Sequence, residues 1–278
     1  MKITLDIKKS LEENSSVYFE KSKKAKKKIA GAEEAVIKMT KRFEKEKKKV
    51  KQAEEKRKQR DAQEEERKAK KTKAEWYEKF RWFFTSEGFL VVGGRDATTN
   101  EIIIKKHTEK GDIVFHTDMA GSPFFVVKKG SVKEKDAEIG DASIAEVADA
   151  TCTYSRAWKL GLGTTQVFWV NPDQVSKEAQ SGEYMPKGAF MIRGKTNYIP
   201  ARINLTVGVM KDGKVMGGPV NAVKKHCKKH VELVQGNEKT AAVAKKIKAK
   251  ISGSAEDEID IDLDDIIKVI PAGGCKVK

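Results

Sequence analysis

The chain has 278 residues, of which 38% are hydrophobic and 35% charged, and its formal net charge is +16. That length and apolar content allow one core of ordinary domain size with residues left for an extended element, while no run reaches the ~18 apolar residues of a membrane span and the start lacks a signal peptide's apolar region, so a cytosolic protein with no membrane partner is expected. Cys152, Cys227 and Cys275 are odd in number and widely spaced, which fits free thiols in a reducing compartment and not a disulfide framework.

Ile3, Leu5 and Ile7 alternate with polar residues, so the chain opens as a short strand or an extended lead-in. A long helix is expected next. Ala25, Ile29, Ala32, Val36, Met39, Phe43, Val50 and Ala53 recur at the a/d spacing of a coiled-coil seam. The same register then places Arg57, Arg60, Glu64, Arg67 and Lys71 on the seam, where burial is costly, so the apolar stripe fades near residue 55. Two structures fit: an antiparallel hairpin turning near residues 50–60, or one charged rod supported by i,i+4 pairs such as Glu44/Lys48 and Glu66/Lys70. From Glu20 to Lys73 there are 23 Lys and Arg against 11 Asp and Glu, so this arm carries most of the net charge. A polyanion is its natural partner, because every phosphate neutralised releases condensed counterions; a merely solvated lysine-rich helix has the same composition.

Trp76, Tyr77, Phe80, Phe83 and Phe84 fall on one face of a short amphipathic helix, and Phe89 to Val92 read as a buried strand broken by Gly93 and Gly94. Further strands are expected at Asp112–His116, Phe124–Lys128, Gln166–Asn171, Ala189–Ile192, Leu205–Met210, Lys214–Met216 and Val231–Val234. Helices are expected at Asp136–Trp158, Pro219–His226 and Glu238–Ile251, with another starting near Asn100. The order is not a regular βαβ alternation, which predicts an α+β fold with a mixed or antiparallel sheet and flanking helices. Near the end, Glu256 to Asp265 is acidic and leads into a short helix at Ile261–Val269.

Arg95, beside Gly93 and Gly94 and ahead of a helix beginning near Asn100, can offer a guanidinium fork and backbone N–H groups to a phosphate; equally, Asp96 can act as N-cap with Arg95 paired internally. His116 and Asp118 are spaced for a metal or acid–base pair or for structural hydrogen bonds. His226, Cys227 and His230 have zinc-compatible spacing, yet their lysine-rich surroundings favour a basic helix face. Ser155, Arg156, Gln174, Ser176, Lys177, Arg193 and Lys195 sit where basic residues interleave with aromatics, a pattern that grips RNA backbone and stacks bases. Trp158 and Trp169 are expected in the core. No nucleophile, paired-carboxylate or nucleotide-loop spacing is evident, so neither a catalytic residue nor a metal nor a cofactor is expected.

The run from Trp76 to Glu101, with GDIVFHTD from Gly111, GSP from Gly121 and Val126-Val127-Lys128, resembles the NFACT-R domain of ribosome-associated quality-control proteins. The likeness resumes at Tyr154–Trp158, Val167–Lys177, Ser181–Tyr184, Gly188–Lys195, Gly217-Gly218-Pro219 and Ala222-Val223, in an archaeal-looking form. It implies a basic coiled-coil arm over 1–75, an NFACT-R-like α+β domain over 76–235, and a helical C-terminal extension with its acidic segment over 236–278. It also favours the hairpin form of the arm. The implied function is non-enzymatic binding of the large ribosomal subunit obstructed by peptidyl-tRNA, in rescue of stalled ribosomes. The partners would be its ribosomal RNA and tRNA, with a separate chain carrying the family's NFACT-N domain a further one. The implied RNA contacts are Arg95, Asn100, Lys128, Ser155, Arg156, Gln174, Ser176, Lys177, Arg193 and Lys195. A chain starting almost at the coil is expected to be a fragment, a split gene product or a stand-alone relative. The competing readings are a coiled-coil protein-interaction scaffold and an RNA-acting enzyme using His116 and Asp118.

Overall fold

A computed structural model describes residues 3–70, 75–132, 137–178, 187–252 and 261–278. The chain divides into two compact units, Met1–Ala74 and Glu75–Lys278. The first is dominated by helix α1, Leu11–Lys70, which runs 60 residues without interruption. The hairpin is therefore excluded and the single rod is correct: nothing between residues 50 and 60 breaks the i→i−4 ladder, and the sequence there has neither Gly nor Pro. At 1.5 Å per residue, the helix is about 90 Å long.

Its start is tied down locally. Ser10 Oγ accepts from the Glu13 N–H at 3.2 Å while Glu13 accepts from the Ser10 N–H at 2.8 Å, a reciprocal capping box. The buried Asn14 side chain holds the 3–10 lead-in, accepting from the Asp6 N–H and donating to the Asp6 and Ser10 carbonyls. That lead-in forms no strand, and it turns at residues 7–9, where the Lys9 N–H donates to the Asp6 carbonyl at 3.1 Å. The seam residues Ile29, Val36, Met39, Phe43 and Val50 are exposed. Arg42 and Glu46 form an i,i+4 ion pair at 3.7 Å, whereas Glu44 and Lys48 do not come within pairing distance. The expectations for the side chains of Ala53, Arg57, Arg60, Glu64, Arg67, Lys71 and the Glu66/Lys70 pair, for residues 181–186 and for the acidic run 256–260 fall outside the described residues.

The second unit is α+β with two antiparallel sheets. The first sheet has the order β1 (Arg81–Phe84), β2 (Leu90–Gly93), β4 (Phe125–Lys128), β3 (Ile113–His116), β5 (Thr164–Val170), β8 (Asn197–Arg202). The second has the order β10 (Val215–Gly218), β9 (Leu205–Val209), β11 (Lys229–Glu238), β12 (Cys275–Val277). A small ribbon pairs β6 (Val175–Ser176) with β7 (Met191–Ile192). Helix α2 (Ala97–Lys106) follows β2; α3 (Asp141–Thr153) and α4 (Arg156–Leu160) follow β4. Helix α5 (Val220–His226) lies against the second sheet, as do α6 (Thr240–Ser252) and α7 (Leu263–Val269).

The expected aromatic helix near Trp76 is instead a turn followed by β1. Arg81 to Phe84 pair in register with Gly93 to Leu90, and the resulting strand buries Trp82 and Phe83. Long-range pairing overrides local aromatic spacing here. Two further departures have similarly local causes. Asp136–Trp158 is not one helix, because Ser155 caps a fresh start: its Oγ accepts from the Ala157 N–H at 3.1 Å. Strand β8 escaped the sequence pattern because it contains Pro200 and is largely solvated, which a sheet tolerates at an edge.

The sheets are joined by a continuous core. Gly218 leaves room for the Phe83 ring, and the Phe84 N–H points at Met216 Sδ at 3.4 Å. Trp158 is core, as expected, and donates from Nε1 to the Gly274 carbonyl at 3.2 Å; Trp169 is partly buried against the same core. Gln235 Nε2 serves the carbonyls of Ala157, Trp158 and Leu162, closing the C-terminal end of α4.

Candidate nucleic-acid interface

The β6–β7 ribbon positions a basic turn. Gln174 uses its side chain as a brace: Nε2 donates to the Arg193 and Lys195 carbonyls at 2.9 Å each, and Oε1 accepts from the Asn171 N–H at 3.0 Å. The Arg193 N–H returns a bond to the Gln174 carbonyl at 2.8 Å, and Gly194 takes φ +82°, a conformation that glycine adopts without strain. With the backbone held this way, Arg193 and Lys195 project exposed side chains from a fixed platform. Ser176 sits on the same ribbon opposite Met191. Lys177 donates from Nζ to the Ala189 carbonyl at 3.0 Å, lies over the Phe190 ring and is 3.9 Å from Glu101. The fold brings Gln174, Ser176, Lys177, Arg193 and Lys195 together on this ribbon, where Gln174 acts on the backbone of the turn.

A chain of rings runs from the ribbon to the β3–β4 loop. Phe190 packs edge-on against Phe124, and Phe124 stacks on His116 at 4.1 Å between centroids. His116 meets the Ser122 carbonyl through Nε2 at 3.2 Å, and its burial lowers its pKa. Burial thus favours its neutral form. Asp118 accepts from the Tyr198 hydroxyl at 3.1 Å, so the two residues considered as an acid–base pair hold the loop instead. The stem of the exposed Arg156 lies beside Gly121 at the far end of this loop.

Three expected contacts are interior groups. Asn100 is buried, and its Oδ1 accepts from the Phe124 N–H at 3.1 Å. Ser155 is the buried cap of α4. Lys128 is buried, with Nζ 2.6 Å from Asp112 Oδ2, 2.9 Å from the His107 carbonyl and 3.2 Å from Glu109. These side chains are consumed by folding and drop out of the interface. Arg95 is half-buried, with Nη2 donating to the Phe80 carbonyl at 2.9 Å, and Asp96 caps α2, accepting from the Thr99 N–H at 2.8 Å. Among the described residues no group of three His, Cys, Asp or Glu could hold a metal ion. His226 bonds the Thr85 carbonyl at 2.8 Å, and the buried Cys227 thiol is pushed up to about 12 by desolvation.

One feature escaped sequence reasoning. Trp76, 39% exposed, stacks on His107 at 4.4 Å with 14° between the planes. The pairing joins residues 31 positions apart through a turn and α2, so no sequence window contains it.

This basic, aromatic-backed surface lies on an antiparallel α+β scaffold, and residues 79–194 match the NFACT protein RNA binding domain family. The chain is 42% identical over 214 residues to the archaeal Rqc2 homolog aRqcH of Methanocaldococcus jannaschii, covering 75% of this chain and 30% of that protein. It is 41% identical over 131 residues to the human ribosome quality control complex subunit NEMF, covering 47% and 12%, and 37% identical over the same length to ribosome quality control complex subunit 2 of Schizosaccharomyces pombe. A solved structure, the C-terminal part of the fibronectin/fibrinogen-binding protein from Streptococcus suis, has 15% identity and a TM-score of 0.37 over 48% of this chain and 47% of its own. The chain therefore carries an NFACT-type RNA binding domain at residues 79–194 and spans less than a third of the length of these curated relatives.

Proposed function

We propose that the chain binds RNA of the large ribosomal subunit during rescue of stalled ribosomes in the cytoplasm, on subunits obstructed by peptidyl-tRNA. The observation that carries this reading is the braced Arg193–Gly194–Lys195 turn, two exposed cations on a rigid ribbon at the end of the matched RNA-binding domain. Arg156 and Trp76 are further RNA contacts in this reading, and the basic arm adds sequence-independent attraction to phosphates. The relatives' names, all of ribosome quality control factors, point to the particle on which this binding acts. Domain roles follow: residues 1–75 as electrostatic arm, 76–235 as RNA reader. The chain binds without turning over substrate, and a chain carrying an NFACT-N domain is a fitting partner for tail synthesis.

The test is sedimentation with purified large subunits across a salt series. Deleting residues 1–73 should weaken binding and shallow the salt dependence by several units of slope, at about 0.9 or less per lost phosphate contact. Arg193→Ala with Lys195→Ala should weaken binding about tenfold while the melting temperature stays put, because both side chains are solvated. Unchanged binding in that double variant would remove the ribbon from the interface. Mass measurement of nascent chains incubated with the protein, obstructed subunits and charged tRNA should show no added residues.

The exposed apolar seam from Ile29 to Val50 favours a second reading that is compatible with the first, in which α1 pairs with another helix. Salt-insensitive capture of a helical partner by the seam, lost on Val36→Lys and Met39→Lys, would separate it from RNA binding.

A further inference from the structure

One face of the first sheet is open where β5 meets β8. Their register sets Thr164 opposite Arg202, Gln166 opposite Pro200 and Phe168 opposite Tyr198, so these six side chains share a face. Val167 and Ala201 alternate to the other side and are buried, and α3 packs against both strands. Of the six, only Phe168 is buried. An antiparallel sheet covered by a helix on one side leaves the other to water, where polar side chains are the rule. Tyr198 departs from that rule: it is a large ring, 51% exposed.

The ring is held in place. Its hydroxyl donates to Asp118 at 3.1 Å, and it meets Phe168 edge-on with centroids 5.7 Å apart. Phe168 lies 5.9 Å from His116, so Tyr198 is the solvent end of the row of rings that starts at Phe190. Among the described residues no other ring touches Tyr198 and no cation lies over it, which leaves at least one of its faces open. A side chain fixed in this way loses little freedom when a flat group stacks on it. Cations flank it on both sides. Lys195, in the braced turn that feeds β8, is three residues ahead, at most about 11 Å along an extended chain. Arg202 lies on the same face with its side chain 75% exposed. The nearby carboxylates are committed elsewhere. Asp118 takes the Tyr198 hydroxyl, and Asp149, 3.7 Å from Arg202 Nε, accepts from the Arg202 N–H and from Asn204 Nδ2.

Building on the RNA-binding reading above, we infer that this face takes unpaired RNA, with one base stacked on Tyr198 and the phosphates on either side of it held by Lys195 and Arg202. Stacking on a side chain needs a base with a free face, and inside a duplex both faces of every internal base are covered by its neighbours. Tyr198 therefore makes the domain distinguish single-stranded from double-stranded RNA. It does so without reading sequence, because every base has a face to offer. The cations alone make no such distinction, since both forms carry phosphates.

The experiment is fluorescence anisotropy of end-labelled RNA titrated with the full chain. The probes are an unstructured oligoribonucleotide of about 12 nucleotides, within the span of single-strand sites, and a blunt duplex with the same number of phosphates. Tyr198→Leu should weaken single-strand binding about tenfold and leave duplex binding within about twofold. Tyr198→Phe keeps the ring and drops the hydroxyl, and should bind the single strand within about threefold of the natural chain. Because stacking releases no counterions, the tenfold effect should persist from low to high salt. Unchanged single-strand binding in Tyr198→Leu, an equal loss on both probes, or an equal loss in Tyr198→Phe overturns the proposal. Tyr198→Leu that weakens binding to large subunits but not to the single strand also overturns it, and assigns the face to a ribosomal protein. Should Tyr198→Leu fail to fold, Tyr198→Trp replaces it: its fluorescence above that of Tyr198→Phe should be quenched by the single strand and not by the duplex, and absence of quenching sinks the stacking. A natural chain that binds neither probe removes the RNA reading and this one together. Binding that is lost in Arg193→Ala with Lys195→Ala but kept in Tyr198→Leu removes this one alone.

Discussion

Lys128 shows how a residue that reads as a surface cation becomes an interior one. Its sequence neighbours Val126 and Val127 announce a buried strand, yet only the fold brings Asp112 to 2.6 Å and the His107 carbonyl to 2.9 Å of its Nζ. Asp112 keeps two backbone donors, the N–H groups of Glu109 and Lys129, at 2.8 and 3.0 Å. Lys128→Met therefore leaves a carboxylate still partly satisfied, and the expected cost is about 3 kcal/mol, the low end for breaking a buried pair. Urea unfolding measures it. RNA affinity below the transition should stay within about twofold, and a large loss there would restore Lys128 to the interface. The cysteines give a second residue-scale expectation. Burial pushes Cys152 up to about 11 and Cys227 up to about 12, and raises Cys275. An alkylating reagent at pH 8 should modify none of the three in the native chain and all three in denaturant, since thiolate is the reactive form.

At the scale of elements, continuous apolar runs were legible and pairings between distant segments were not. Leu90 to Val92, Val114 to Phe115 and Val126 to Val127 are apolar enough to declare buried strands in any context. Arg81 to Phe84 has helix-compatible and strand-compatible spacing at once, and its pairing with Leu90–Gly93 decides between them. The Gly93-Gly94 signal was legible, but its reason differs from close approach of a ligand: a Cβ at Gly93 would meet the Phe125 ring, and one at Gly94 the Asn100 amide. The cap of α2 was readable from Asp96 alone, and it supplies a test. Asp96 accepts from the Thr99 N–H while Thr99 Oγ1 accepts from the Asp96 N–H at 2.9 Å. Asp96→Ala should cost about 1 kcal/mol. The Thr99 N–H, first among its causes, holds the carboxyl below its ordinary value. A depressed folded pKa means that the contribution is complete above about pH 4, the unfolded value, and fades as the pH falls through the folded one. The gap between natural chain and variant in denaturant midpoint should narrow in acid. A gap that is constant down to pH 2.5 would show that the carboxylate charge plays no part in the cap.

For the whole molecule, the residues after the matched domain matter more than their mixed composition suggests. Residues 261–278 look like a detachable tail, acidic and then apolar, and the sequence gives no sign that β12 will pair with β11. Yet Ile261, Ile266, Ile270 and Cys275 are all buried in the common core. The Val269 carbonyl takes the Tyr154 hydroxyl and the Gly274 carbonyl the Trp158 indole, so α3 and α4 lose their anchors if this segment goes. At about 1.5–3 kcal/mol per buried side chain, three isoleucines alone supply roughly 5–9 kcal/mol, comparable with the whole stability of an ordinary domain, about 5–15 kcal/mol. A chain ending at Ser252 should therefore lose cooperative unfolding of the second unit, seen as loss of the near-ultraviolet circular dichroism of its buried tryptophans. Helix α1 lies in the other unit, so the far-ultraviolet helical signal should fall far less. A truncated chain that still melts in one sharp transition would show that the segment is an appendage and that residues 75–252 close their own core.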